Sequence, residues 1–431
     1  MTTFREQVLE YLKRIRKYLP DEVVNNCYHL PKAVLAVLWY RYPAGDLTVI
    51  GVTGTDGKTT TTNIIFHILN QAGFNTAMVS TVKAVIGGRE YDTGLHVTNP
   101  DAWQLQKLLR RARDTGAQYL VLEVTSHGLM QYRNLGTNIS TAIITNISHE
   151  HLDYHKTMHH YVLAKAKILN GVKYSILNRD DRNFRTLVNK SNGRVYTFSL
   201  KKDADLNLKK FPFKTKLYGQ YNKSNCLAAI AAVKTLGIED EIIRKGIASF
   251  PGVSGRMEEV KNKRGVRLFI DFAHKPNALK NVLETARNIS KKGRVIVIFG
   301  SAGLRDVTKR PVMGEIAGKL ADVSVVTGED PRTESVNKII NQIARGVSRA
   351  GAWEFTPRNF RFVIKKNKNS HFFIKIPERD KAINFAINKL SRKNDVLLFC
   401  GKGHEKSMCF GITEYPWNEK EEILKAVAKK C

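Results

Sequence analysis

An apolar run, LTVIGV (47–52), passes directly into TGTDGKTT (53–60), and a helical pattern follows from Lys58 to about Ala72. Strand, glycine-bearing loop and helix start form a unit that confines this part of the chain to an α/β arrangement. Gly54 and Gly57 let backbone N–H groups approach an anion, and the helix N-terminus adds positive partial charge. Lys58 suits the outer phosphates of a nucleotide and Thr59 a magnesium ion. The string does not follow the common phosphate-loop spacing, because Val52 stands where its first glycine belongs and Gly51 lies one residue too far. Asp56 places a negative charge inside this loop, so its side chain must point away or help bind the metal.

After Pro43 the chain alternates strand-like and helical patterns, which predicts α/β domains with mostly parallel sheets. YLVLEV (119–124), TAIITN (141–146), YSILN (174–178) and a run near 196–198 read as further strands of one sheet, and NCLAAIAAVKTLG (225–237) as a helix. The pattern pauses at PGVSGR (251–256) and restarts with LFIDF (268–272), VIVIFG (295–300), VSVVTG (323–328) and VLLFCG (396–401). These strands predict a second, Rossmann-like α/β domain. The expected division is a short helical segment over 1–46, an ATP-binding domain over 47–251 and a C-terminal domain over 252–431. KKNKNS (365–370) reads as an exposed loop. In open parallel sheets ligands sit beyond the carboxyl ends of the strands, so the loops that follow these strands carry the chemistry.

Glu123 closes one of those strands. A buried carboxylate without a partner is costly, which favours a metal-binding role. TNISHEHLDYH (145–155) supplies three histidines and two acids after another strand. It is not HExxH, since Asp153 stands where the second histidine belongs, so a zinc-protease site is excluded. A magnesium and phosphate site remains, with His151 as the metal neighbour.

These stretches, with others in order, resemble the ATP-dependent Mur ligases of cell-wall peptide synthesis, and within them the members that add a diamino acid as the third residue. The motifs are TGTDGKTT (53–60), TNP (98–100), EVTSHGLMQYR (123–133), TNISHEHLDYH (145–155), YVLAK (161–165), YNKSN (221–225) and GVSGRME (252–258). DFAHKPNAL (271–279), FGSAGLRDVTKRPVMG (299–314), TGEDPRTE (327–334) and CGKGHE (400–405) complete the series. The resemblance implies amide ligation: a substrate carboxylate takes the γ-phosphoryl group of ATP, and an amine then displaces phosphate from the acyl phosphate.

By the same resemblance Gly54, Thr55, Asp56, Gly57, Lys58, Thr59 and Thr60 would hold the ATP phosphates. Asn222 and Asn225 would lie by the base, and Arg256 and Asp271 would reach the nucleotide from the C-terminal domain. Thr59, Glu123 and His151 would bind magnesium (Mg2+), and Lys165 matches a lysine that family members carbamylate to hold a second ion. Lys58, Glu123, His151 and Lys165 would thus be the catalytic set. Thr98, Asn99, Thr125, Gln131 and Arg133 match contacts to the UDP-MurNAc-dipeptide. Arg305, Glu329, Asp330, Pro331, Arg332, Gly401 and Glu405 match contacts to the incoming amino acid. The loop EDPR stands where diaminopimelate-adding members have DNPR. Arg332 suits a distal carboxylate, so meso-diaminopimelate is expected over L-lysine, although the added negative charge would suit a more cationic substrate.

Members of the family carry a UDP-binding domain before the phosphate loop, and this chain offers only 46 residues there. The sugar nucleotide would then be held mainly by the central domain or with a partner. An alternative reading is ligation of a different carboxylate, and another is a non-catalytic protein that binds ATP and polyanions. The last draws on composition: 70 Lys and Arg against 39 Asp and Glu leave a formal charge of +31. The basic residues are spread out, and no nucleic-acid signature accompanies them. Cys27, Cys226, Cys400, Cys409 and Cys431 form no C-x-x-C pair, which fits a reducing cytoplasm. No apolar run is long enough to span a membrane. Phe4, Val8, Leu9, Leu12 and Ile15 recur at helical spacing with a basic opposite face, suiting packing on the protein itself or weak membrane-surface contact. Oligomeric state has no signature in the sequence.

Overall fold

The computed structural model describes residues 19–93, 99–358 and 371–429. The amphipathic stretch before Leu19, the expected substrate contact Thr98 and the loop KKNKNS lie outside them. The chain divides into two compact units: the described residues through Thr215 with Ser224–Phe250, and Lys216–Lys223 with the chain from Pro251 onward.

The first unit is built on eight strands: Thr48–Thr53 (β1), Thr76–Val79 (β2), Ala84–Ile86 (β3), Arg89–Tyr91 (β4), Tyr119–Glu123 (β5), Ile139–Ile144 (β6), Tyr174–Asn178 (β7) and Arg194–Phe198 (β8). Their order is β4-β3-β2-β5-β1-β6-β7-β8. Pairing is parallel from β2 to β8, and β3 and β4 add an antiparallel edge. β1 therefore lies between β5 and β6, with Val52 level with Glu123 and Thr53 level with Ile144. Val49, Ile50 and Val52 are fully buried, as a strand covered on both faces requires.

The helix Lys58–Gln71 opens with Lys58 and then four threonines, which are weak helix formers. Burial of Ile64, Ile65, Ile68 and Leu69 on one face holds it instead. Asp101 caps the helix Ala102–Asp114 by accepting from the Gln104 N–H at 2.9 Å, and this fixes where the preceding Asn99 lies. The helix Leu30–Trp39 packs Ala33 and Ala36 against Ala102, while Leu35, Leu38 and Trp39 remain exposed.

In the second unit Glu258–Val260 (β9), Arg267–Asp271 (β10), Val295–Phe299 (β11), Val323–Val326 (β12), Trp353–Glu354 (β13), Phe372–Lys375 (β14) and Val396–Cys400 (β15) form a sheet of order β13-β14-β12-β11-β15-β10-β9. All pairs are parallel except β9 with β10. Side chains alternate between two cores: Phe269, Val295, Val297, Phe299 and Leu398 face one. Leu268, Ile270, Ile296, Ile298, Leu397 and Phe399 face the other. Each such burial contributes about 1.5–3 kcal/mol. A separate antiparallel hairpin, Ser407–Phe410 (β16) and Thr413–Pro416 (β17), follows.

The sheets are mixed and mostly parallel, as the sequence predicts. The four strands read in the C-terminal stretch are β10, β11, β12 and β15. β9, β13, β14 and the hairpin were not foreseen.

Candidate functional site

The first site lies at the carboxyl ends of β5, β1 and β6. Gly57 opens the helix Lys58–Gln71 with φ +82° and gives no side-chain cap, so its first N–H groups stay available to an anion. A Cβ at Gly57 would stand 2.1 Å from Asn225 Oδ1, which puts Asn225 directly against the loop. The Lys58 ammonium donates to the carbonyls of Gly54 at 3.1 Å and Thr55 at 2.9 Å. Lys165, 2% exposed, donates to the same Gly54 carbonyl at 2.8 Å. Two cationic side chains thus meet on one loop carbonyl.

The backbone of Asp56 is clasped. Its N–H donates to Asn146 Oδ1 at 3.1 Å, and its carbonyl accepts from Thr145 Oγ1 at 2.7 Å and Asn146 Nδ2 at 3.0 Å. Thr60 is buried in the first helical turn.

Thr59 Oγ1 donates to Glu123 Oε1 at 3.1 Å, and Glu123 Oε2 accepts from the Thr81 N–H at 2.9 Å. Glu123, buried at a strand end, is therefore partnered. His151 has φ +53° and stands 3.6 Å from Glu150 Oε1. Its ring meets that of His127 edge-on at 4.9 Å and lies 6.2 Å from Tyr161.

Tyr161 is the hub of this wall. Its hydroxyl pairs with Thr55 Oγ1 at 3.1 Å, and Lys165 Nζ lies 4.8 Å over its ring. Burial, reinforced by Glu150, pushes its phenol far above the ordinary value, so it stays protonated. Among the described residues no three His, Cys, Asp or Glu side chains converge as a metal cage. A hydroxyl and a carboxylate oxygen beside a phosphate loop nonetheless fit magnesium, which takes few protein ligands and keeps phosphate oxygens and water.

Four expected substrate residues fall together beside Glu123. Asn99 Nδ2 donates to the Glu123 carbonyl at 2.9 Å, and its Oδ1 accepts from the Thr125 N–H at 2.5 Å. Arg133 donates to the Asn99 carbonyl at 2.7 Å and through Nε and Nη2 to Gln131 Oε1 at 2.9 and 2.7 Å.

The second unit gathers its candidates at the carboxyl ends of β12, β11 and β15. Glu329 is 5% exposed, and its Oε2 has no hydrogen-bond partner among the described residues. A Cβ at Gly401 would stand 2.3 Å from that oxygen, so only glycine leaves the carboxylate its place. Burial raises the Glu329 carboxyl to about 7, with Lys309, Arg379 and Lys402 opposing and Asp330 reinforcing. Asp330 instead pairs with the fully buried Lys402 at 2.8 Å, and Lys402 also holds Glu405 at 2.7 Å. Burial works against the Lys402 ammonium, yet Glu405 and Asp330 outweigh it and raise its pKa.

Arg332 Nη1 donates to the Gly303 carbonyl at 3.3 Å, and a Cβ at Gly303 would stand 1.9 Å from the Pro331 carbonyl oxygen. Arg305 is exposed on the adjoining loop. That loop is braced by Arg310, 0% exposed, which bonds Glu334 through both terminal nitrogens and the Ala302 carbonyl at 3.1 Å. The Arg310 hydrogen bonds hold Glu334 near 2.

Also in this unit, Asp271 accepts from the N–H groups of Met257 at 2.8 Å and Ala273 at 2.7 Å. Arg256 lies 4.7 Å over the Phe272 ring, and Asn222 donates to the Tyr218 carbonyl at 2.7 Å. Sequence reasoning did not single out Tyr161, Lys402 or Arg310. All three stand inside the motifs quoted above, but their roles depend on burial, which spacing alone does not report.

Two family models match the chain: the Mur ligase middle domain over residues 52–233 and the Mur ligase glutamate ligase domain over 255–403. A UDP-N-acetylmuramoyl-L-alanyl-D-glutamate–2,6-diaminopimelate ligase of Synechocystis is 36% identical over 420 residues, covering 92% of this chain and 78% of that protein. The enzyme of the same name from Geobacter metallireducens is 34% identical, covering 91% and 80%. A solved structure of that name matches with TM-score 0.58 at 27% identity, covering 88% of this chain and 78% of its own. The chain belongs to the Mur ligase family of ATP-dependent, amide-forming ligases.

Proposed function

We infer that this ligase adds a diamino acid, meso-diaminopimelate in preference to L-lysine, to UDP-MurNAc-L-Ala-D-Glu in the cytoplasm. Residues 47–251 would carry ATP and the sugar-nucleotide dipeptide, and 252–431 the amino acid. The observation that carries the chemistry is the meeting of Lys58 and Lys165 on the Gly54 carbonyl beside the Thr59–Glu123 pair. The relatives' name supports the substrate, as does Arg332 in the loop that follows β12.

The dipeptide's terminal carboxylate oxygen attacks the γ-phosphorus of ATP; the bond to the β-phosphate oxygen breaks and ADP leaves. The amine nitrogen then attacks the acyl carbon, the carbon–oxygen bond to phosphate breaks, and the nitrogen loses its proton. Such chemistry depends on positioning and charge neutralisation. Lys58, turning from the loop carbonyls to the outer phosphates, supplies positive charge as two anions approach, and Lys165 supports the same loop. Thr59, Glu123 and His151 would hold magnesium, which supplies charge neutralisation at the phosphates. Asn99, Thr125, Gln131 and Arg133 would hold the dipeptide. Glu329, Gly401 and Glu405 would receive the amino acid's ammonium end, and Arg305 and Arg332 its carboxylates.

Mass analysis of the sugar nucleotide after incubation with ATP, magnesium and each diamino acid tests this. The expected product is heavier by one diaminopimelate less water. A product formed only with another carboxylate substrate would overturn the assignment.

A further inference from the structure

The hairpin β16–β17 stands outside the seven-stranded sheet, yet it is stitched to the loop that follows β12. Cys409 pairs with Glu414 across the hairpin, but its own backbone groups serve the loop. Its carbonyl accepts from the Arg332 N–H at 3.0 Å, and its N–H donates to Asp330 Oδ1 at 3.1 Å. The Gly411 N–H donates to the Arg332 carbonyl at 2.8 Å. Arg332 is thereby a one-residue third strand, bridged in parallel to Phe410.

It also has φ +53°, a left-handed conformation that costs a non-glycine residue about 1–2 kcal/mol and persists only where surroundings impose it. The hydrogen bonds from β16 are those surroundings. Ser407, Met408 and Cys409 are buried, while Phe410, Ile412 and Tyr415 are exposed, so the hairpin's inner strand is anchored and its outer strand faces solvent.

We propose that this hairpin is a specificity element: by pairing with the backbone of Arg332 it fixes the residue whose guanidinium reaches the Gly303 carbonyl, in the loop that carries Glu329 and Asp330, so that a diamino acid with a second carboxylate is selected over one without. The proposal rests on the function inferred above, and it makes Cys409 and Gly411 positioning residues that act through Arg332.

Replacement of Cys409 by proline is the sharp test. Because the Cys409 N–H faces Asp330 Oδ1 and not β17, a proline there removes that donor and disturbs the loop while leaving the β16–β17 ladder bonds in place. Cys409→Ala, which keeps the N–H, is the control. A second variant, in which Gly-Gly replaces residues 409–414, removes the pairing altogether. The readouts are kcat/KM for meso-diaminopimelate and for L-lysine, the KM for ATP, and Tm.

The expected result is a preference for diaminopimelate in the wild type and in Cys409→Ala. In Cys409→Pro and the shortened hairpin that preference falls by about tenfold or more, through a higher KM for diaminopimelate with the KM for ATP unchanged. A folded Cys409→Pro or shortened-hairpin protein that keeps the wild-type preference overturns the proposal, as does a wild type that uses both amino acids equally. Turnover of neither amino acid by the wild type overturns the functional reading itself, and the proposal falls with it.

Discussion

Glu329 and Asp330 are adjacent acids with different fates. Asp330 is neutralised by Lys402, whereas Glu329 is buried with one oxygen that has no partner among the described residues and its carboxyl raised to about 7. An acid whose folded pKa lies above its unfolded value of 4.5 makes the folded state bind the extra proton. Stability therefore falls as pH rises from about 4.5 to about 7, and the loss is complete above that window. Glu329→Gln removes the titration. Its stability relative to wild type should grow across that range by an amount on the order of 3 kcal/mol and then level off, as read by urea unfolding at several pH values. A difference that does not change with pH would show that Glu329 ionises freely in the folded protein. At this scale the sequence named both acids but not their states, because the pairing of Asp330 with a lysine 72 positions away is a fact of folding rather than of spacing.

Among elements, the helices Arg379–Phe385 and Glu419–Ala428 are joined by a buried ion pair. Arg379 holds Glu419 at 2.5 Å and also donates to the Cys400 carbonyl at 2.9 Å, at the end of β15. Both side chains are almost wholly buried. Glu419→Ala leaves the guanidinium buried without its counter-charge and should cost about 3–5 kcal/mol, whereas replacing both residues with apolar ones should cost less. Chemical denaturation of the two variants checks this, and equal losses would contradict it.

Strand existence was legible wherever apolar runs were long and covered on both faces, as at β1, β11 and β15. The short strands β3, β4, β9 and β13 carry too few residues to show a period, and β14 follows directly on the lysine-rich run at 365–370. Boundaries shifted by a residue or two, as at β6, expected over 141–146 and observed as Ile139–Ile144. The turn from β1 into the helix Lys58–Gln71 was legible because Gly54 and Gly57 stand where the backbone takes positive φ.

For the whole molecule, the formal charge of +31 supports association with polyanions, but such binding is electrostatic and should fade steeply with salt. Retardation on a heparin column at rising ionic strength checks this; binding that withstands salt would point instead to a specific nucleic-acid partner. Among the described residues no helix is long and apolar enough to cross a membrane.

In the proposed function the loop TGTDGKTT, the Thr59–Glu123 pair and Lys165 together drive amide ligation. The most direct measurement is ADP release from ATP and magnesium with UDP-MurNAc-L-Ala-D-Glu, in the presence and absence of meso-diaminopimelate, for the wild type and Lys165→Ala. ADP release that depends on the amine is expected, with a loss of about 100-fold or more in the variant. ADP release indifferent to the amine, or a Lys165→Ala protein of full activity, would contradict it.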